Sequence, residues 1–354
     1  MAAIPKFPPN KKPASRKNRR PVVTTLEMVA EEAGVSPSTV SRFINGTATV
    51  SGARRSAVEQ AIVKLNFLPN PAARGLATGR SMTIGVVTQA IDSPYYGEGL
   101  RGIETFLQEQ GYAPLFMSGN WNELDEARCL SQLIARRVDG IIFFAGRLHN
   151  KDLTAYAKQL PIVVTGRRLK GTGLFSLKVD DHEGAVLATR HLTGLGHRKI
   201  AFIGGPPDHS DALERLGGYK QALAESNIPF DPRLIAEGDF REEGGVRAVN
   251  YLLDSGAKFT ALFCANDQMA HGVYLGLSRR GLRIPEDVSV VGFDDLSASS
   301  YMLPPLTTIS QSVLSLGQCS ASAVLQMIDG KRPRISLPPV ELIVRESTRR
   351  ARHR

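Results

Sequence analysis

Arg42 lies in the run Ser36-Pro37-Ser38-Thr39-Val40-Ser41-Arg42, among short polar side chains. A guanidinium is a planar fork of N–H donors, able to pair with a guanine O6/N7 edge or with a phosphate. Small neighbours such as Ser38 and Ser41 let a helix carrying it sit deep in the major groove of a duplex. A second set of chemically able residues lies farther along, each just after an apolar run. These are Asp92-Ser-Pro-Tyr-Tyr96, Thr165-Gly-Arg-Arg168, Asp208-His-Ser-Asp211 with Arg215, Gly238-Asp-Phe240, Asn266-Asp267 and Phe293-Asp-Asp295. Hydroxyls, carboxylates, guanidinium groups and rings in that mixture suit a polyol, whose hydroxyls meet planar polar groups and whose apolar face meets a ring. The competing use of Asp and Asn at such places is to cap the following helix, and the pattern favours it for Asp267 and Asp295.

The elements that must position Arg42 are legible nearby. Thr24 or Thr25 can cap a first helix whose apolar stripe is Leu26, Val29, Ala30 and Ala33, ended by Gly34. Ser36 caps a second, roughly Pro37 to Ile44, with Pro37 at the first position, where no N–H is needed, and Asn45-Gly46 closing it. A third starts from Ser51, with Val58, Ile62 and Leu65 facing inward. Two helices joined by a short Gly-containing turn predict a helix-turn-helix. The run Phe67 to Arg80 predicts a further short helix from Pro69–Pro71 to near Gly79, too short and too Gly-weakened to hold alone in water. Its Leu76 has no local core and suits a wedge between base pairs.

Charge supports the same division. Residues 1–80 carry 13 Lys/Arg against 4 Asp/Glu (net +9), residues 81–344 carry 26 against 29 (net −3), and the last ten carry 5 against 1 (net +4). A near-neutral body with a small basic head is the footprint of a polyanion binder. The 354 residues, 42% hydrophobic and 22% charged, suggest about two domains of an ordinary globular protein, which excludes collagen-like, disordered and membrane-spanning classes. The basic, Pro-rich start lacks the apolar segment of a secretory signal. Three isolated cysteines, Cys129, Cys264 and Cys319, form no CxxC pair, which fits a reducing cytoplasm.

The stretch Thr25 to Gly46, followed by Pro69-Asn-Pro-Ala-Ala-Arg-Gly-Leu76, closely resembles the head of the lactose/galactose repressor (LacI/GalR) family. That resemblance implies base reading by Pro37, Ser38 and Arg42, and phosphate contacts near Ser36, Ser41, Asn45 and Ser51. It also implies a hinge helix that folds on the operator, with Asn70, Ala73, Leu76 and Ala77 at the DNA and Leu76 as its wedge. Two residues depart from the family: Pro37 has no side-chain hydrogen bond to offer, and Ser51-Gly-Ala-Arg-Arg opens the third helix where acidic residues are usual. The second change makes that face more positive and predicts stronger sequence-independent affinity.

After Arg80 the pattern becomes apolar runs alternating with amphipathic helices. Strands are expected at Ile84–Val87, Ile141–Phe144, Ile162–Val164, Ile200–Ile203, Ala261–Cys264 and Val288–Val291. Helices are expected at Gly99–Gln110, Ala127–Arg137 and Thr154–Gln159. Continuous apolar strands between helices require parallel sheets covered on both faces, with ligands at the carboxyl ends of the strands. The stretch Ser210 to Tyr219, with Ala265–Ala270, Val290–Asp295 and Pro304–Ile309, resembles the sugar-binding core of the same family, its galactose-type branch above all. The implied fold is an all-α helix-turn-helix head and an α/β periplasmic-binding-protein-like core of two doubly wound parallel-sheet subdomains. The chain would cross between them near 179–180, 308–310 and 336–338. The implied layout is 1–23 basic extension, 24–67 head, 68–80 hinge, 81–345 core and 346–354 basic tail.

By the same resemblance Arg215, Asn266 and Asp294 would hold sugar hydroxyls, Phe240 would stack on the ring, and Tyr95, Tyr96 and Asp211 would line the walls. Gly166 stands where some relatives have an acidic sugar ligand and Val313 where some have an aromatic; Arg167 and Arg168 beside Gly166 keep an anionic effector open. The function implied is a cytoplasmic repressor that binds a palindromic operator as a homodimer under control of a sugar or sugar derivative. A purine, a sugar phosphate or a protein could replace the sugar. No metal or cofactor is expected: there is no H-E-x-x-H, G-x-S-x-G, Walker or zinc spacing, and His191, His197 and His209 are too scattered to form a ligand set. A glycosidase-like reading would pair Asp211 with Asp294 but leave the basic head unexplained. An exported sugar carrier would lack the helix-turn-helix. The last residues show no Leu heptad, so a dimer is expected, not a tetramer.

Overall fold

The computed structural model describes residues 24–45, 51–67 and 79–352. The chain divides into two compact units, Met1–Gly79 and Arg80–Arg354. In the first, α1 (Leu26–Glu32), α2 (Pro37–Asn45) and α3 (Gly52–Lys64) close on Val29, Ala30, Val40, Val58, Ala61 and Phe67. Thr25 is the cap of α1, accepting from the Met28 N–H at 3.4 Å, while the Thr24 hydroxyl donates to the Leu65 carbonyl and ties the start of α1 to the end of α3. Gly34 turns the chain at φ +64°, a conformation that suits glycine. Ser36 caps α2 by accepting from the Thr39 N–H at 3.3 Å; Ser51 stands at the cap of α3 without making a cap bond.

The second unit contains two parallel sheets. The first lobe orders its strands β2 (Ala113–Ser118), β1 (Thr83–Thr88), β3 (Gly140–Phe143), β4 (Ile162–Thr165) and β5 (Leu174–Leu177). The second orders β7 (Ile235–Glu237), β6 (Ile200–Gly204), β8 (Ala261–Cys264) and β9 (Ser289–Val291). In both, the first strand of the lobe lies inside the second, so winding reverses direction beside β1 and beside β6. The central strands β3, β4 and β8 are buried along their whole length because helices cover both faces.

Helices α4 (Pro94–Glu109), α5 (Glu123–Ala135) and α6 (Asn150–Tyr156) belong to the first lobe. Helices α7 (Asp181–Gly194), α8 (Ser210–Glu225), α9 (Glu242–Asp254) and α10 (Asp267–Arg279) belong to the second. After β10 (Thr308–Ser310) the chain returns to the first lobe as α11 (Val313–Ile328) and then pairs β11 (Glu341–Ile343) antiparallel to β10. Helix α11 lies against α4 so closely that a Cβ on Gly102 would stand 2.2 Å from the Leu314 carbonyl oxygen.

Three sequence expectations need correction. Helices α4, α5 and α6 each begin about four residues before the apolar stripe that announced them, at Pro94, Glu123 and Asn150, so Tyr95 and Tyr96 lie on the first turn of α4 and not in a loop. Strands β2, β5 and β7 and the β10–β11 pair were not anticipated; the first three lie at sheet edges and are only partly buried. Gln311 and Ser312 lie between β10 and α11, beside the expected crossing near 308–310. The stretch after residue 345 is no loose tail. Ser347 is fully buried, donates to the Val290 carbonyl and accepts from the Thr307 N–H, and the Ala351 N–H donates to the Leu195 carbonyl. His197 joins this strap through Nε2, 3.0 Å from the Arg349 carbonyl, with Nδ1 2.8 Å from the Thr260 hydroxyl, a structural use of a buried imidazole.

Candidate ligand-binding cleft and nucleic-acid interface

On the head, Ser36, Pro37, Ser38 and Arg42 are all exposed along α2, and Ser51 is exposed at the start of α3. The Ser36 hydroxyl lies 2.9 Å from those of Ser38 and Thr39, a cluster of small polar groups around the first turn. Arg42 forms no ion pair among the described residues, so its guanidinium is available to a base edge or a phosphate. Ser41 is half-buried on the same helix, and Asn45 is its last residue. Arg55 packs its guanidinium 5.9 Å from the Phe43 ring and pairs with Glu59, which keeps one of the two arginines of α3's first turn against the helix pair. Asn70, Ala73, Leu76 and Ala77, expected at the DNA, lie outside the described residues.

In the core, a cavity of about 490 Å³ opens between the lobes, at the carboxyl ends of both sheets and beside both reversals of winding. That is where an open α/β sheet leaves a crevice, because successive connections leave to opposite faces. The segments after β1 (Ala90 to Tyr96), β3 (Ala145, Arg147), β6 (Pro206 to Arg215) and β8 (Asn266, Gln268) supply most of its lining.

Arg215, on α8 and 5% exposed, is the centre of the second-lobe wall. Its Nε donates to Asp181 Oδ1 at 2.9 Å, its Nη2 lies 2.8 Å from the same oxygen, its Nη1 donates to the Ala265 carbonyl, and Asp294 Oδ1 stands 3.7 Å away. The guanidinium carbon is 3.8 Å from the centre of the Phe293 ring, which supports it from behind. Burial opposes the Arg215 charge, but the carboxylates of Asp181, Asp294 and Asp211 overcome it and hold the guanidinium firmly protonated. Asp181 is pushed up to about 7, first by burial, with Arg215 pulling the other way. Asp294 is raised well above its usual range for the same reason, and Gln311, between β10 and α11, donates to it at 2.5 Å. Asn266 caps α10 by accepting from the Met269 N–H and donates to the Phe240 carbonyl, which leaves one amide N–H for a ligand. Phe240 has φ +64° and its ring covers Gly205.

The first-lobe wall is aromatic. Tyr95 and Tyr96 meet edge to face at 5.2 Å, and Tyr96 reaches Trp121 at 6.4 Å. Neither phenol hydroxyl has a hydrogen-bond partner among the described residues, although Tyr96 is only 7% exposed. Burial first, and then the charges of Asp294 and Asp211, raise the Tyr95 phenol well above its ordinary value, so it stays a donor. Contacts between the lobes close the rim: Arg147 pairs with Asp208 at 2.8 Å, Ser93 donates to Gln268 at 2.9 Å, and the Trp121 and His209 rings are 4.3 Å apart. The fully buried carboxylate of Glu126 on α5 holds the Arg147 loop by accepting from the N–H groups of Arg147 and Leu148.

Seven of the eight expected cleft residues converge: Tyr95, Tyr96, Asp211, Arg215, Phe240, Asn266 and Asp294 all line the cavity. Arg167 does not. Its Nη1 donates to the Leu148 carbonyl and the Asn150 amide oxygen, its Nη2 to the Gly146 carbonyl, and it lies 5.7 Å from the Phe143 ring, so it braces the loop behind the wall. Its neighbour Gly166 faces the cavity instead, and Arg168 is exposed elsewhere.

Asp267 and Asp295 cap no helix. Asp267 is fully buried and accepts from Ser299, Thr308 and the Leu296 N–H; Asp295 pairs with Arg345 at 2.6 Å. Asp181, Trp121, Gln311 and Arg147 were missed, and His209 was named only within the Asp208–Asp211 run. Asp181 stood beside residues already singled out, but nothing local showed that Gln311 or Trp121 faces a cleft built from distant segments.

The likeness to known proteins is extensive. Residues 25–70 match the model of bacterial regulatory proteins of the lacI family, and residues 81–346 match that of periplasmic binding proteins and the sugar-binding domain of the LacI family. The chain is 36% identical to the HTH-type transcriptional repressor PurR of Haemophilus influenzae (strain PittEE) over 92% of this chain and 99% of that protein. It is 37% identical to the HTH-type transcriptional regulator GalR of Escherichia coli (strain K12), over 87% and 90% respectively. Its fold matches the lac repressor dimer bound to operator and the anti-inducer ONPF, with a TM-score of 0.82 and 33% identity across 92% of this chain and 99% of that one. Given the exposed α2 surface and the cleft between two doubly wound lobes, the chain belongs to the LacI family and is a DNA-binding transcriptional regulator controlled by a small-molecule effector.

Proposed function

We propose that this protein represses carbohydrate-utilisation genes by binding a palindromic operator as a homodimer, and that a neutral sugar held between the lobes sets its operator affinity. Pro37, Ser38 and Arg42 read bases, Ser36, Ser41, Asn45 and Ser51 meet phosphates, and Asn70, Ala73, Leu76 and Ala77 sit at the minor groove with Leu76 as the wedge. Each head contacts one half-site, so two are needed for a palindrome. The lac repressor solved as a dimer on operator, at 33% identity, supports this geometry.

The observation that carries the choice of effector is the pairing of charges on the second-lobe wall. Arg215 is already engaged by Asp181 and faces Asp294, and Arg167 is turned away, so no guanidinium is left to neutralise a phosphate in the depth of the cleft. Seven acidic side chains line the whole cavity against three guanidinium groups, and even with Asp181 and Asp294 holding protons the remaining five carboxylates outnumber the cations, a field that repels anions. Hydroxyls suit these partners: each can donate to Asp211 or Asp294 and accept from Arg215, Asn266 or a tyrosine, while the Phe240 ring covers the apolar face. A purine is the second reading. The three rings Tyr96, Trp121 and Phe240 could hold a flat base, and the PurR relative is as similar as the GalR relative.

The effector acts only through its different affinity for the two lobe arrangements, which hinge motion at the three crossings would interconvert. Isothermal titration of the full-length protein with neutral sugars, sugar phosphates and purine bases tests the reading. A neutral sugar that binds and changes operator affinity in a gel-shift titration is the expected result; silence toward every sugar with heat from a purine overturns it.

A further inference from the structure

The cleft continues past the residues described so far. A second cavity of about 520 Å³ adjoins the first and shares Ala90, Asp92, Trp121 and Arg241 with it. Trp121 stands where the two chambers meet. One neighbour of its indole is Tyr96 of the deep chamber, another is His209 of the opposite lobe at 4.3 Å, and its ring N–H has no hydrogen-bond partner among the described residues.

The backbone that presents this ring is held in an uncommon shape. Asn120 and Trp121 are consecutive non-glycine residues in the left-handed region, at φ +51° and +55°. Such pairs persist only where the surroundings impose them. Here Gln89, 1% exposed, accepts from the Trp121 N–H at 2.7 Å and donates to the Ala145 carbonyl at 2.9 Å, while the Ser118 hydroxyl donates to Asn120 at 2.9 Å. A tryptophan needed only to fill space would not require a dedicated buried amide and a strained turn.

The outer chamber offers amphipathic chemistry. The indole gives an apolar face, Asn120 an amide, and the lip carries Asp92 and Arg241 at 3.5 Å. Both of these are largely exposed, so their pairing is weak and their oxygens and N–H groups remain open to hydroxyls. A ring with an apolar face and hydroxyls on its edge matches these groups.

We propose that the outer chamber is a second sugar subsite, and that the effector is a two-ring saccharide whose first ring fills the deep chamber and whose second stacks on Trp121. The proposal rests on the sugar reading of the deep chamber and adds the size of the ligand to it. It makes Trp121 a specificity residue and Gln89 its positioning residue.

The test is isothermal titration of the full-length protein with maltose, cellobiose, lactose and melibiose, and with the methyl glucosides and methyl galactosides of both anomers. At least one disaccharide should bind tenfold or more tightly than the methyl glycoside of its deep-seated ring. Trp121→Ala should narrow that gap to about twofold. Asn120→Gly, which removes an amide that lines only the outer chamber and tolerates the positive φ, should weaken the disaccharide at least threefold and leave the methyl glycoside unchanged. A methyl glycoside that binds as tightly as every disaccharide overturns the subsite while leaving the sugar reading intact. Equal losses for both ligands in both variants also overturn it. Binding of purine bases and of no saccharide overturns the sugar reading itself, and the subsite with it.

Discussion

On the second-lobe side of the cleft, Arg215, Asp181, Asp294 and Gln311 engage one another, and Asn266 is held by the Phe240 carbonyl. On the first-lobe side, Tyr95, Tyr96 and Trp121 keep their hydroxyl and indole donors free of protein partners among the described residues. The two walls show how one site divides its work. Charges taken out of water must already be paired, so the charged wall is rigid and fixes orientation. Uncharged rings lose little on burial and can leave one polar atom waiting, so the aromatic wall can part from the ligand and return.

Arg215→Ala is the largest blow to that division. It should remove effector binding, with a loss of at least a hundredfold by titration calorimetry. It should also destabilise the core by about 3–5 kcal/mol in urea melts, because Asp181 and Asp294 are left buried without their cation. A fully stable variant with normal binding would show that the charged wall is decoration.

The carboxylate behind that wall gives a pH test. Asp267 titrates at about 6 in the folded chain, raised mainly by burial, against an unperturbed 3.8. Between those values the folded state keeps a proton that the unfolded chain has released. Stability should therefore fall as pH rises from about 4 to 6, by at most about 3 kcal/mol. Asp181, pushed up to about 7, acts in the same direction over a wider window. Asp267→Asn should flatten part of the slope between urea melts at pH 4.5 and 6.5. Parallel slopes in the two proteins would remove Asp267 from the account.

Smaller effects probe the aromatic side. Glu126→Ala leaves the N–H groups of Arg147 and Leu148 unsatisfied, at a cost of about 1–3 kcal/mol in thermal or urea unfolding, and loosens the loop that reaches Asp208. Tyr96→Phe should leave stability unchanged and weaken the effector by about 0.5–1.5 kcal/mol, since its hydroxyl has only the ligand to bind. Lost stability in Tyr96→Phe would mean that this hydroxyl is already engaged in the protein, and the contrast between the walls would fail.

Much of this was readable in the chain. Central strands such as β3, β4 and β8 announce themselves because burial on both faces demands unbroken apolar runs. Edge strands such as β2 are half-buried and carry no such signature. Helix starts were read late because an apolar stripe begins only where the helix meets the core, one turn after its cap. In the cleft, Arg215, Asn266 and Asp294 were legible as strand-end and motif residues. Arg167 was misplaced because sequence adjacency to Gly166 says nothing about which side of the wall a side chain takes.

Local pattern determined the helix-turn-helix, with its caps at Thr25 and Ser36 and its turn at Gly34, because each of those signals acts over a few residues. It determined the alternation of buried strands and helices for the same reason. The tertiary structure alone decided which strand ends face each other, that Gln311 reaches Asp294, that Ser347 locks the last segment into the core, and that Trp121 stands between two chambers. Those placements join residues far apart in the chain, and only long-range packing, with its demand that every buried charge find a partner, selects them.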